Sequence, residues 1–209
     1  MQIKRFAMRC EYALIAAVIG AASWPSDVGA QALSESMLED HEVHQTAAYQ
    51  LPTAEGKDRE NALVRLVREV TDPFRDVSKA VAAGYFEQFG CVSGSDQGAM
   101  GVHFVNDRLV DDDVLDPAHP ELLVYEPTPG GGLQLVAADY LVLADKWNAS
   151  HNAPPQLMGQ LFHLFESPNR FGLPAFYTLH VWAWKENRHG TFVNWNPDVS
   201  CDHYAPSAP

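Results

Sequence analysis

The ten residues Ala175–Trp184, AFYTLHVWAW, decide how the rest of this chain is interpreted. The segment is rich in aromatic and β-branched side chains, which favour a pleated and partly buried strand. Regular alternation would place His180, Trp182 and Trp184 on one face and the aliphatic residues between them on the other. We therefore predict a β-strand that carries a histidine among core residues.

Three further segments have the pattern of strands. They are 101–106 (GVHFVN), 122–126 (LLVYE) and 133–143 (LQLVAADYLVL). Turn residues, Pro127–Gly132 (PTPGGG), separate the last two, so we expect those two strands to form an antiparallel hairpin. In the first of the three, His103 and Val105 share one face.

Two helices are predicted before the strands. From Glu60 onward, apolar residues recur at helical spacing: Leu63, Val64, Leu66, Val67 and Val70. Asp72 and the proline after it interrupt this pattern and suit the start of a second helix, which ends at Gly84. Residues 145–174 form a long loop with a short helix at 157–165. Helices followed by strands predict an α+β fold, with two N-terminal helices packed on an antiparallel β-sheet or half-open barrel.

Residues 1–32 have the features of a secretory signal peptide. Basic residues precede an apolar segment, Tyr12–Trp24, and Ala30-Gln31-Ala32 resembles a cleavage site. A lipid-retained anchor and a buried N-terminal helix are the alternatives. Residues 33–58 are predicted to be a flexible lead-in, and 59–209 a single globular domain. We expect a periplasmic or secreted protein without membrane insertion after signal cleavage.

The charge balance limits the possible partners. The 14 basic and 27 acidic residues give a net charge of −13. Cleavage after residue 32 leaves 11 basic and 25 acidic residues, a net charge of about −14. This field repels nucleic-acid phosphates and anionic lipids. Metal ions and small-molecule ligands are therefore the expected partners, although solubility explains the acidity equally well.

Two cysteines lie outside the predicted signal peptide. Cys91 and Cys201 form an even pair, which in an oxidising compartment predicts one disulfide. The alternatives are a thiolate metal ligand or a redox pair, and the wide separation without a C-x-x-C motif argues against both.

The strand histidines suggest a metal site. An ionised carboxylate inside a strand is costly unless it is paired or bound to a metal. Two imidazoles and a carboxylate on neighbouring strands suit iron, manganese or zinc, and imidazoles alone suit copper. We predict that His103, His180 and Glu126 bind a metal. Asp139 is an alternative ligand or a group that orients an imidazole. Histidines that serve only the core are the competing interpretation.

This site leads to two functional hypotheses. The first is an exported protein that binds a transition metal ion (copper, iron or zinc). It would act as an oxidoreductase or lyase on a small organic molecule. Tyr140 or His163 would assist proton transfer, and His163 is also a candidate third imidazole. The second is a non-catalytic secreted binding module, with a small ligand on a tryptophan-rich surface formed by Trp182, Trp184 and Trp195.

Several motifs together resemble those of a known group of proteins. They are RDVSKAVAAGY (75–85), GAMGVHFVN (98–106), LLVYEP (122–127) and LHVWAWKENRHGTFVNWNPDVSC (179–201). The set resembles a family of secreted bacterial proteins of uncharacterised activity, over about residues 72–204. The resemblance implies a single exported domain and no particular reaction. Asn187-Arg188-His189-Gly190 departs from the N-P-x-G expected in that family.

Overall fold

The computed structural model describes residues 54–206. The predicted signal peptide and residues 33–53 of the predicted lead-in lie outside this range. The helices are α1 (Ala54–Thr71), α2 (Val77–Ala82), α3 (Asp107–Asp111) and α4 (Ala144–Ser150), with a 3₁₀ turn at Asp72–Arg75. The strands are β1 (Phe86–Gly94), β2 (Gly98–Val105), β3 (Leu122–Pro127), β4 (Leu133–Leu143), β5 (Gln156–Leu157), β6 (Gln160–Leu161), β7 (His163–Phe165) and β8 (Phe176–Val181).

Six of these strands form one antiparallel sheet in the order β1-β2-β3-β4-β8-β7. Strands β5 and β6 form a separate two-stranded ribbon. The sheet curls into a half-barrel, and helices accompany it. The predicted α+β class with a curled antiparallel sheet is confirmed. In the described part of the chain, no helix combines the length and apolar character that a bilayer crossing requires.

Helix α1 begins earlier than the apolar periodicity indicates. Its first residue is Ala54, so the end of the predicted lead-in is helical. The first turns are polar and mostly exposed, and therefore carry no apolar pattern to detect. Farther along, Leu63 and Val67 are fully buried in a cluster with Tyr140 and Val181 of the sheet. This packing fixes α1 against one face of the sheet.

The second helix begins at a different residue from the predicted one. Asp72 and the proline after it form the 3₁₀ turn, and α2 starts at Val77. The side chain of Asp76 accepts a hydrogen bond from the amide of Ser78 and so caps the helix. A capping aspartate was expected in this region, but four residues earlier in the chain.

The predicted short helix at 157–165 is wrong. The segment instead makes a tight hairpin, in which Leu157 pairs with Gln160, and then continues into β7. Met158 and Gly159 have φ angles of 48° and 87°, which a right-handed helix does not allow. Two successive residues with positive φ suit a two-residue hairpin turn, and glycine adopts this conformation without strain.

A disulfide joins Cys91 of β1 to Cys201 near the C-terminal end, across a sequence separation of 110 residues. The predicted pairing is confirmed. Because Cys91 packs in the same cluster as Tyr125 and Phe104 of the central strands, the crosslink attaches the C-terminal segment to the body of the sheet.

Candidate metal centre

Three potential metal ligands converge on one face of the sheet. Asp139 of β4 lies directly opposite His180 of β8, with 3.4 Å between the Asp139 Oδ2 and His180 Nδ1 atoms. His103 of β2 completes the group, and the two imidazole rings are 5.8 Å apart at an angle of 82°. One ligand atom from each residue lies within 4.8 Å of the others. Within residues 54–206, these residues form the one group of three with metal-ligating geometry.

The curl of the sheet brings these side chains together. Strands β2 and β8 are separated by β3 and β4, which makes three strand spacings. In a flat sheet their backbones would be about 14 Å apart. The ring centroids of His103 and His180 are nevertheless only 5.8 Å apart. Both side chains therefore point into the concave face, where facing strands approach one another.

The three side chains are buried and incompletely hydrogen-bonded. His103, Asp139 and His180 have exposed fractions of 3%, 2% and 2%. The Nδ1 atom of His103 and both ring nitrogens of His180 have no hydrogen-bond partner. Buried polar atoms are normally satisfied, so three unpartnered imidazole nitrogens in one cluster require an explanation. A metal ion between the residues would supply a partner for one nitrogen of each imidazole.

The protonation states suit a cation. Burial lowers the pKa of His103 to about 4 and that of His180 to about 3, so both imidazoles are neutral at neutral pH. Burial also raises the pKa of Asp139 to about 6, which leaves its carboxylate mainly ionised at pH 7. The cluster therefore offers imidazole lone pairs and one uncompensated negative charge. This is the donor set that a divalent transition metal prefers.

The spacing fits a common ion. Two ligand atoms about 2.1 Å from one metal at a tetrahedral angle are about 3.4 Å apart. The Asp139–His180 contact already has this separation. The widest separation among the chosen ligand atoms is at most 4.8 Å, so coordination requires them to close by about 1.4 Å at most.

Thr178 holds the carboxylate of Asp139 in place, although it was not among the predicted site residues. Its hydroxyl donates a hydrogen bond of 2.6 Å to Asp139 Oδ1 and leaves Oδ2 toward His180. An outer residue of this kind orients a metal ligand. The signal for it was its position two residues before His180, which puts both on the same face of β8.

A small cavity of about 20 Å³ adjoins the ligands. It is large enough for one water molecule or ion. Beyond the three ligands and Thr178, its walls are apolar and largely aromatic: Phe89, Met100, Leu122, Leu141, Phe165, Phe171, Leu173 and Phe176. The polar residues of the cavity are therefore the three ligands and Thr178, and the remaining walls are apolar.

Glu126 does not belong to this group. Its Oε2 atom accepts a 2.7 Å hydrogen bond from the ammonium of Lys185, and its Oε1 atom accepts one from the amide of Ser200. The pairing of β3 with β4 shifts register between Val124 and Tyr125. The extra residue lies in β4, whereas β3 pairs with β2 without a shift, so the alternation of β3 is kept. Glu126 is instead too far along the strand, four residues or about 13 Å from Leu122, the partner of Asp139. The structure therefore brings Asp139, and not Glu126, together with the two histidines.

Tyr140 also lies outside the site. It follows Asp139 in β4 and faces the opposite side of the sheet, where it packs in the cluster with Leu63 of α1. Its hydroxyl donates to the carbonyl oxygen of Pro117, and burial raises its pKa. The structure therefore does not bring Tyr140 together with the three converging ligands, because the sheet separates them.

His163 lies at the periphery of the site. It pairs with Thr178 across the edge strand β7, on the same side of the sheet as His180, but is exposed. It is not one of the three converging ligands. Burial is the main cause of the lowered pKa of His180, and the electrostatic interaction with His163 lowers it further. Its role in proton transfer stays a prediction.

The three tryptophans do not share one face. Trp182 is 3% exposed, lies 6.1 Å from the His180 ring and donates to the carbonyl of Val193. Trp184 instead donates to Thr71 at the end of α1. β8 ends at Val181, and the amide of Ala183 bonds back to the Val181 carbonyl, which breaks the expected alternation. Trp195 lies elsewhere, beneath the guanidinium of Arg170.

Comparison with known protein families, with curated proteins and with solved structures finds no match to this chain. The function of this chain is therefore inferred from the site itself.

Proposed function

We propose that this chain binds one divalent transition metal ion through His103, Asp139 and His180. The observation that supports it is the convergence of three buried ligands, in which three of the four imidazole nitrogens have no hydrogen-bond partner. An ionised carboxylate in this apolar enclosure is unfavourable by itself, and a bound cation would offset that penalty. Among the predicted metals, two imidazoles and a carboxylate suit iron or zinc better than copper.

The donor number favours a reactive site over a purely structural one. Structural zinc sites usually have four protein ligands, whereas catalytic sites have three and leave a position for water or substrate. A metal held here would supply Lewis-acid or redox chemistry at that position. The chain's own contribution is to orient Asp139 through Thr178 and to exclude bulk water with the apolar wall. We therefore propose a metal-dependent oxidoreductase or lyase that acts on a small organic molecule.

We also propose that the protein works in the periplasm or outside the cell. The disulfide between Cys91 and Cys201 supports this location, because such bonds persist in oxidising compartments. The basic and apolar pattern of residues 1–32 supports it independently.

Metal titration tests the proposed site. The purified protein, stripped with a chelator, is titrated with Co²⁺ while its visible absorption is recorded, and binding should saturate at one equivalent per chain. His180→Ala should abolish saturation. His119→Ala is the matched control, since His119 forms an exposed pair with Asp116 at 2.8 Å and should leave the titration unchanged. A folded wild-type chain that binds no metal would contradict the proposal and favour the binding module.

A further inference from the structure

The cavity beside the proposed metal has an aromatic rim. Phe165 and Phe171 are partly exposed, and Phe89 is 40% exposed, whereas the ligands beneath them are buried. Phe171 contacts Phe89 and Phe165 at ring-centroid distances of 5.5 and 6.0 Å, with the rings edge to face. Phe176, which is buried, stacks on Phe165 at 5.1 Å. The rim therefore separates the ligands from solvent with phenylalanine rings.

This rim lies where the half-barrel is open. β1 and β7 are the two free edges of the sheet, and no ladder joins them. Phe89 belongs to β1, at the irregularity between Gln88 and Cys91, and its φ of 68° is unusual for a bulky residue. Phe171 lies in the segment that follows β7. At this point the rim is held by the ring contacts and by a hydrogen bond of 3.0 Å from the Arg170 guanidinium to the carbonyl oxygen of Ser93 in β1, so the rings can separate without breaking a strand pair.

The lining disfavours anionic ligands. None of the residues that line the cavity carries a positive charge that would pair with an anion. The hydroxyl of Thr178 is already engaged by Asp139. Moving a charged group from water into such a lining is strongly unfavourable, whereas an aromatic ring gains edge-to-face contacts with the phenylalanines.

We propose that the aromatic rim admits small uncharged aromatic molecules to the position beside His103, Asp139 and His180. This inference rests on the proposed metal site and assigns its ligand class. The cavity of about 20 Å³ holds only a water-sized occupant, so entry of a six-membered ring requires Phe171 to swing outward. The amides of Phe171 and Gly172 both donate hydrogen bonds to Asn169, which holds the backbone in a turn, so the movement is a rotation of the Phe171 side chain.

Two probes with the same ring and different charge test the ligand class. Benzyl alcohol and benzoate are titrated calorimetrically into the metal-free and the Zn²⁺-loaded protein. Benzyl alcohol should bind both forms. Benzoate should bind the metal-free form at least about tenfold more weakly, because no cation is present to offset the burial of its carboxylate.

A pair of variants locates the binding. Phe171→Ser removes a ring from the rim and should weaken benzyl alcohol binding about fivefold, with Zn²⁺ affinity unchanged. Phe86→Ser is the control, because Phe86 is a phenylalanine of the edge strand β1 that is 57% exposed and lies outside the cavity. It should leave both affinities unchanged.

The outcomes separate this inference from the metal proposal. If Zn²⁺ binds but benzyl alcohol binds neither form, the ligand class is overturned and the metal site stands. If benzyl alcohol binds but Zn²⁺ does not, the metal site is overturned and the aromatic cavity stands. Equal binding of benzoate and benzyl alcohol to the metal-free form, or an equal loss in the Phe86 variant, also overturns the ligand class.

Discussion

At the scale of single residues, the carboxylate of Asp139 should have opposite effects on metal binding and on stability. Asp139→Asn keeps the shape and an acceptor for Thr178 but removes the charge. Because loss of outer-shell partners alone weakens metal binding 10- to 100-fold, loss of this direct ligand should weaken Co²⁺ binding by about 100-fold or more. The metal-free variant should be more stable than the metal-free wild type, by about 1–3 kcal/mol, because a buried charge is removed.

Cobalt titration and urea unfolding of the metal-free proteins measure the two effects. A purely structural aspartate would show the reverse pattern, with lower stability in the variant and no change in cobalt binding.

Glu121 provides a pH prediction outside the metal site. Its side chain is fully buried, accepts a hydrogen bond from the amide of Leu141, and leaves Oε1 without a partner. Burial raises its pKa from 4.5 to about 8. The folded state therefore retains a proton that the unfolded state loses, and stability falls as pH rises from about 4.5 through 8.

Glu121→Gln should remove this dependence. The variant keeps a carbonyl acceptor for Leu141 but has no group to ionise. Relative to the wild type, it should gain on the order of 3 kcal/mol between pH 5 and pH 8. Urea unfolding at these two pH values measures the difference. A difference that stays constant over the range would show that Glu121 does not titrate as expected.

At the scale of elements, Gly101 allows β2 and β3 to approach each other beside His103. Its φ is 110°, and an added Cβ would lie 2.5 Å from the carbonyl oxygen of Tyr125. Gly101→Ala therefore strains the backbone and forces the strands apart. Gly131→Ala is the matched control, since Gly131 also has positive φ, 77°, but nothing lies within 4 Å of its Cβ.

Gly101→Ala should reduce the free energy of unfolding by at least about 2 kcal/mol more than Gly131→Ala does. It should also weaken cobalt binding, because it displaces the strand that carries His103. Denaturant unfolding and cobalt titration of both variants check this, and equal losses would mean that the close approach has no role.

Individual strands were predictable where their side chains are apolar on both faces. β4 and β8 have this pattern and were found from sequence. β1, in contrast, is an edge strand with mainly exposed or partly exposed residues and an irregularity at Gly90, so it carries no detectable period. The end of β8 was also missed, because the turn at Ala183 depends on a hydrogen bond to Val181 that sequence does not reveal.

The alternation of side chains along the strands predicted part of the candidate site. The apolar pattern of the strands indicated that His103 and His180 belong to the core, and both are buried. It did not show how far each carboxylate lies from the histidines, because that distance depends on strand pairing: Leu122 pairs with Asp139, whereas Glu126 pairs with Gln134. The enclosure by aromatic residues from both free edges depends on the curl of the whole sheet, and this is a tertiary property.

At the scale of the whole molecule, the disulfide joins the edge strand β1 to the C-terminal segment. The bond between Cys91 and Cys201 closes a loop of about 110 residues, so its removal should release considerable chain entropy in the unfolded state. Cys91→Ala combined with Cys201→Ala should lower the free energy of unfolding by about 4 kcal/mol. Cobalt binding at low temperature should persist, because the ligands belong to β2, β4 and β8.

Calorimetry and cobalt titration of the double variant measure these two effects. The reduced wild type is the control and should behave like the double variant. An unchanged unfolding free energy would show that the crosslink does not constrain the unfolded chain.

X-ray absorption spectroscopy of the Zn²⁺-loaded protein tests the central claim most directly. The proposed site predicts one ion per chain with only nitrogen and oxygen neighbours at about 2.0–2.2 Å and the outer scattering of two imidazoles. His103→Ala should reduce that scattering to one imidazole. Sulfur neighbours, no imidazole scattering, or a spectrum unaffected by His103→Ala would contradict the site.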